Sequence, residues 1–165
     1  MTDSNSKYKI KELTISDIEK VAVLYNELAY YVQRETSDPY FDFIQLSIGE
    51  MCNYLKGTLD KENYKTYVVE IENSIVGFIS GEIIDCFLPI STTNKIGYIN
   101  GCFINEHHRK QGLTKMMIQQ LDEFFQKSEI RYVELHYILG NHVAEKTWSR
   151  LGFSTFRCQM RKTIG

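Results

Sequence analysis

Proline is scarce, with only Pro39 and Pro89 in 165 residues, and no Gly/Ser-rich stretch interrupts the chain. Without a linker, repeat or low-complexity run, a single domain over 1–165 is expected, long enough to bury a sizeable core. Neither sign of charge dominates: 19 Lys and Arg face 21 Asp and Glu, for a net −2. A chain so balanced offers no general attraction for nucleic acid. The four cysteines, Cys52, Cys86, Cys102 and Cys158, form no C-x-x-C pair and no cluster with histidine. His107 and His108 are the only adjacent histidines, and loop neighbours seldom share one metal, so no metal site is expected. Reduced thiols fit a cytoplasmic protein. Met1 to Lys7 has no apolar signal core and no run approaches membrane-spanning length, so neither export nor a membrane partner is expected.

What is present is the mix of a globular fold, 43% hydrophobic and 24% charged. Tyr8 to Leu13 alternates like a strand, and Thr14 and Asp17 suit a helix start. Ile18, Val21, Ala22, Tyr25, Leu28, Ala29 and Val32 follow at helical spacing. Glu35 to Phe43 reads as a loop, and a second helix is expected over Phe43 to Lys56, stopping at Gly57. Tyr67 to Ile71 and Ile75 to Gly81 then alternate about Glu72-Asn73-Ser74 as a hairpin, the second strand extending toward Ile84. A polar connection from Cys86 to Lys95 leads to a strand over Ile96 to Ile104. Leu113, Met116, Met117, Leu121, Phe124 and Phe125 define a third helix, and Arg131 to Ile138 a fifth strand. Val143 to Leu151 forms a short helix closed by Gly152, and Phe153 to Arg161 a last strand. The order β-α-α-β-β-β-α-β-α-β predicts an α+β fold, with a mixed, mostly antiparallel sheet flanked by helices.

The chemistry concentrates between the Ile96–Ile104 strand and the third helix, in Arg109-Lys110-Gln111-Gly112-Leu113-Thr114. A helix begins with unpaired N–H groups and a partial positive charge. Gly112 lets backbone approach a ligand, and Arg109 and Lys110 add charge, which suits a diphosphate. R-x-x-G alone is weak evidence: six arginines and ten glycines give roughly 0.4 such matches by chance. An ordinary helix-starting loop is the competing account.

With its surroundings the segment becomes specific. Ile104, then Asn105-Glu106-His107, then His108 and Arg109 to Thr114 resemble the acetyl-CoA signature Q/R-x-x-G-x-G/A of the GCN5-related N-acetyltransferases (GNAT). Thr114 departs from the small last residue of that pattern, but its backbone N–H survives. Asn141-His142-Val143-Ala144, Trp148 and Leu151-Gly152-Phe153 are similar to the family's N-x-x-A…Y-x-x-x-G-F. The likeness spans nearly the whole chain.

The resemblance implies acetyl-CoA as co-substrate and transfer of its acetyl group to a primary amine of a small molecule or peptide, by direct attack. It assigns the pantetheine arm to the main chain of Cys102, Phe103 and Ile104, as an added strand. The Cys102 amide becomes an oxyanion donor, and its thiol reads as a small buried residue. Amides of Arg109, Lys110, Gln111, Gly112, Leu113 and Thr114 take the pyrophosphate, and Asn141 contacts the arm from the other side. An alkylammonium must lose its proton across about 3.4 pH units, roughly 4.6 kcal/mol, whereas reprotonating a thiolate costs roughly 2 kcal/mol. A base therefore matters more than an acid. Family members often carry a glutamate on the fourth strand, where this chain has Tyr98 and Asn100. Trp148 replaces the family's acidic tyrosine, and its indole N–H is no practical acid. Tyr98 and Asn100 share a strand face and can order a water; Glu134 and His136 share a face of the fifth strand, with Tyr137 opposite. His108 reads as loop packing.

For the acceptor, Tyr30, Tyr31, Tyr40, Phe41 and Phe43 with Glu35, Asp38 and Asp42 form either a receptive surface or a solvated loop. A transferase using another acyl-CoA, and a non-catalytic or regulatory CoA-binding module, are the alternatives. The resemblance allows a homodimer, which no feature of the sequence supports.

Overall fold

The computed structural model describes residues 7–41 and 47–164. Its elements run β1 (Lys9–Glu12), α1 (Ile18–Thr36), α2 (Ile48–Leu59), β2 (Tyr64–Ile71), β3 (Ser74–Asp85), β4 (Lys95–Ile104), α3 (Leu113–Lys127), β5 (Val133–Leu135) and α4 (His142–Arg150). Short 3₁₀ turns occupy Ile15–Asp17, Pro39–Phe41 and Glu106–His108. The five strands stand in chain order, antiparallel except for the parallel β4–β5 pair. This is the mixed, mostly antiparallel α+β sheet that the order of elements predicts.

Alternation along the strands divides the core between two faces. Val68, Phe78 and Phe103 pack with Val21, Ala22 and Leu24 of α1 and Leu55 of α2. Their chain neighbours Val69, Ile79 and Ile104 pack with Met117, Leu121 and Phe125 of α3. The β2–β3 hairpin closes through Glu72 and Asn73, both at positive φ (46° and 64°), the two-residue turn whose twist matches the strands.

Before α1, the Asp17 carboxylate accepts from the Thr14 hydroxyl (2.6 Å) and the Thr14 N–H (3.3 Å), and pairs with Lys11 at 3.2 Å. Burial pushes this carboxyl up, but the Thr14 and Lys11 contacts outweigh it and hold it below the usual carboxylate range. A carboxyl depressed in the folded state contributes stability above its unfolded pKa and loses it as pH falls through the folded value. Asp17→Asn is therefore expected to cost about 1–2 kcal/mol at neutral pH. In urea titrations the gap to wild type should close below about pH 4.

Some boundaries move. The second helix, expected from Phe43, is seen from Ile48, with residues 42–46 outside those described. It runs through Gly57 to Leu59 because Leu55 and Thr58 are buried and Leu59 packs on the same core. That packing exceeds glycine's helix penalty of about 1 kcal/mol. The fifth strand, expected over Arg131 to Ile138, pairs only at Val133–Leu135. The last strand, expected over Phe153 to Arg161, is not in the sheet: residues 153–164 have no strand assignment. Beyond the half-buried Phe153 this segment is exposed throughout, so no apolar face offsets the cost of ordering it as a strand.

Candidate active site

The site begins with an irregularity in β4. Gly101 lies opposite Ser80 and Ile99 opposite Gly81, which leaves Asn100 as an extra residue, a β-bulge. Before it, the Gly97 N–H donates to the Tyr132 carbonyl (3.0 Å), so the odd-numbered residues face β5. Beyond it, the Asn105 N–H donates to the Val76 carbonyl (2.9 Å), which makes Phe103 and Gly101 the residues bonded to β3. Cys102 and Ile104 therefore turn their N–H and C=O groups toward the β5 side. Pairing with β5 ends at Ile99–Leu135, so those groups face a gap between two diverging strands.

That gap opens into a cavity of about 500 Å³. Cys102, Phe103 and Ile104 form one wall; Arg109, Lys110, Gly112, Leu113 and Thr114 form its end; Asn141, Ala144, Trp148 and Leu151 face them. Of the residues assigned to the co-substrate from the sequence, only Gln111 does not line it. The loop winds through left-handed backbone at Lys110 (φ 62°) and Gly112 (φ 75°) before α3 starts. Its first intrahelical bond is Met116 N–H to the Gly112 carbonyl (3.2 Å), so the amides of Leu113, Thr114 and Lys115 precede any helical acceptor.

Arg109 has a second task that the loop motif does not disclose. Its Nε donates to the Ile104 carbonyl at 2.9 Å. Its guanidinium lies 4.6 Å from the Tyr31 ring centroid and 5.5 Å from that of Phe103. Tyr31, which the sequence left between an acceptor surface and a solvated loop, is a wall of the cavity that supports Arg109. Asn141 caps α4, its Oδ1 accepting from the Ala144 N–H (3.1 Å). Burial pushes the Cys102 thiol up to about 12, which favours its protonated form at neutral pH. Trp148 packs edge-on to Phe153 at 5.4 Å, and His108 bonds the Tyr8 hydroxyl at 3.1 Å.

Tyr98 and Asn100 are not among the cavity's lining residues. The Tyr98 hydroxyl is 2.6 Å from His136 Nδ1, and burial raises its pKa, countered in part by Arg157. His136 Nε2 is 3.2 Å from Arg157, which also pairs with Glu134 at 3.6 Å. Arginine can only donate, so in this contact His136 Nε2 is the acceptor. Asn100 donates to Glu82 Oε1 (3.3 Å) and accepts from the Tyr64 hydroxyl (3.3 Å). Glu82 and Arg157 were not candidates from the sequence, because strand register and the course of the last segment bring them in. On the far side, Asp38 pairs with Arg161, which stacks on Tyr40 at 4.9 Å. Asp42 and Phe43 lie outside the described residues. Among the described residues no three His, Cys, Asp or Glu are arranged to hold a metal ion, and no helix is long and apolar enough to cross a membrane.

No curated protein matches the chain. Solved structures share its fold. The aminoglycoside N-acetyltransferase AAC(6′)-Iy, in complex with the bisubstrate analogue CoA-S-monomethyl-acetylneamine, superposes with TM-score 0.77 at 14% identity, over 97% of this chain and 100% of its own. The aminoglycoside 6′-N-acetyltransferase AAC(6′)-Ih of Acinetobacter baumannii gives 0.74 at 12%, over 96% and 99%. A predicted acetyltransferase of Clostridium acetobutylicum, solved with acetyl-CoA, gives 0.73 at 17%, over 94% and 96%. At such identities the likeness speaks to the fold. The family itself is shown by a match of the acetyltransferase (GNAT) model to residues 22–153. With that match laid over the splayed strands and the Arg109–Thr114 loop, the chain belongs to the acetyltransferase (GNAT) family, the acetyl-CoA-dependent N-acetyltransferases.

Proposed function

We propose that this acetyltransferase acts on a primary amine of a small molecule or peptide, by direct attack on the thioester of acetyl-CoA, in the cytoplasm. The observation that carries this reading is the gap at the bulge, where main-chain groups of Cys102 and Ile104 face a cavity ending in the Arg109–Thr114 loop. In this reading the pantetheine arm lies along Cys102, Phe103 and Ile104 as an added strand. The pyrophosphate rests on the loop amides, from Arg109 through Lys110, Gln111, Gly112 and Leu113 to Thr114, and Asn141 borders the arm. The Cys102 amide polarises the thioester carbonyl. Tyr98 and Asn100 flank the approach of the amine. Direct attack is favoured because Cys102, a thiol lining the cavity, has its pKa pushed up by burial and is a poor nucleophile for a covalent route. The aminoglycoside acetyltransferases among the similar folds support a small-molecule amine as acceptor. A net charge of −2 favours no nucleic acid, and homodimerisation is a matter for sedimentation.

The test is calorimetric titration with acetyl-CoA, followed by thiol release across neamine, spermidine, phenethylamine and a dipeptide. Binding with amine-dependent thiol release is expected. Tight binding without turnover on any amine would favour the regulatory module, and faster turnover of butyryl-CoA the other acyl donor.

A further inference from the structure

We propose that Glu82 is the proton acceptor of the transfer, positioned across the β4 bulge by Asn100; this rests on the direct-attack reading above. The fourth strand has no carboxylate at Tyr98 or Asn100, yet β3 brings one to the same place. Glu82 pairs in register with Tyr98. Its face of β3 is that of Ser80, two residues earlier, which bonds Tyr25 of α1 at 2.9 Å. Gly81 between them faces Leu121 and Phe125 of α3.

Asn100, the extra residue of the bulge, fixes the carboxylate. An ionised carboxylate only accepts, so the Asn100 amide nitrogen must point at Glu82 and its oxygen at the Tyr64 hydroxyl. Tyr64 is buried and is met by the Tyr54 hydroxyl at 3.4 Å, which holds the carboxamide from behind. Only Oε1 of Glu82 is engaged; among the described residues Oε2 has no hydrogen-bond partner. Other carboxylates on this sheet are paired: Glu70 with Lys11, Glu12 with Lys65, Asp85 with Lys95, Glu134 with Arg157. Among the described residues no cation pairs with Glu82. The groups around it are Tyr54 of α2, Tyr64 of β2, and Tyr98 and Asn100 of β4, with Glu134 and Arg157 also acting on Tyr98. A half-buried carboxylate with one free oxygen beside the bulge is placed to take a proton from the amine nitrogen once it has bonded the carbonyl carbon.

In the step, the amine nitrogen bonds the thioester carbonyl carbon and becomes cationic as the C=O π pair moves onto oxygen, from which it returns to re-form the carbonyl when sulfur leaves. Glu82 Oε2 takes one of its protons, and the C–S bond breaks with its electron pair going to sulfur. The thiolate is reprotonated from solvent as Glu82 returns its proton, leaving an N-acetyl amine and free CoA. A carboxylate is poorly matched to a free alkylammonium but well matched to the more acidic nitrogen of the adduct.

The test compares Glu82→Gln with wild type on phenethylamine, an alkylammonium, and hydroxylamine, which is already neutral at pH 7. Glu82→Gln should bind acetyl-CoA like wild type by calorimetry, a check on folding and on the co-substrate site. Its kcat/KM should fall by about 100-fold on both amines, because the adduct of each must lose a proton from its cationic nitrogen. Wild-type turnover by Glu82→Gln on either amine would overturn the assignment. Wild-type protein that acetylates neither amine would remove the direct-attack reading and this inference with it.

Discussion

Replacing Gly112 with glutamate is expected to weaken acetyl-CoA binding by at least about 100-fold while the protein remains folded. Two effects combine. Gly112 sits at φ 75°, a backbone that costs a side-chain-bearing residue about 1–2 kcal/mol. The added carboxylate would then face the diphosphate at the start of α3. Like charges a few Å apart near a protein surface repel by about 3 kcal/mol, or about 100-fold in affinity. Gly112→Ala separates the two, because no heavy atom lies within 4 Å of the added Cβ. Alanine should therefore show the backbone cost alone, as a stability loss of about 1 kcal/mol with the smaller change in affinity. Calorimetric titration of both variants reads the difference. Unchanged affinity in folded Gly112→Glu would place the diphosphate elsewhere.

The largest effect on stability is expected at Phe78. It is fully buried in the middle of β3 and stacks on Tyr25, with ring centroids 4.2 Å apart. Its ring also comes within 3.2 Å of where a Cβ would stand on Gly101, the residue next to the bulge. Truncation to alanine loses the transfer free energy of the ring and leaves a cavity against α1, together about 3–5 kcal/mol. In a chain of this size that lowers the melting midpoint by about 10 °C. Removing Phe78 also removes the support of Gly101, so acetyl-CoA affinity should fall with stability. Chemical denaturation measures the first effect and titration the second. Ile90→Ala, at a position 96% exposed, is the control and should stay within about 0.5 kcal/mol of wild type. A Phe78→Ala loss no larger than that control would contradict the packing described.

The sequence by itself determined whatever short spacing along the chain encodes. The amphipathic periods of α1 and α3, the Glu72-Asn73 turn, the strand–loop–helix around Arg109–Thr114 and the Asn141–Phe153 segment depend on residues a few positions apart. Their burial stripes and turn requirements can be read locally. The tertiary structure decided what depends on register and on partners far apart in sequence. The bulge at Asn100 exists only relative to β3, and it sets which main-chain groups of β4 face the cavity. That same register brings Glu82 beside Asn100 and Tyr98, although neither strand alone marks it. Arg109 reads as loop charge until α1 brings Tyr31 beneath it. The segment after Phe153 reads as a strand until its exposure shows that no face of it is buried. Hydrophobic period specifies an element, whereas pairing and burial between elements are settled only when the whole sheet and its helices are in place.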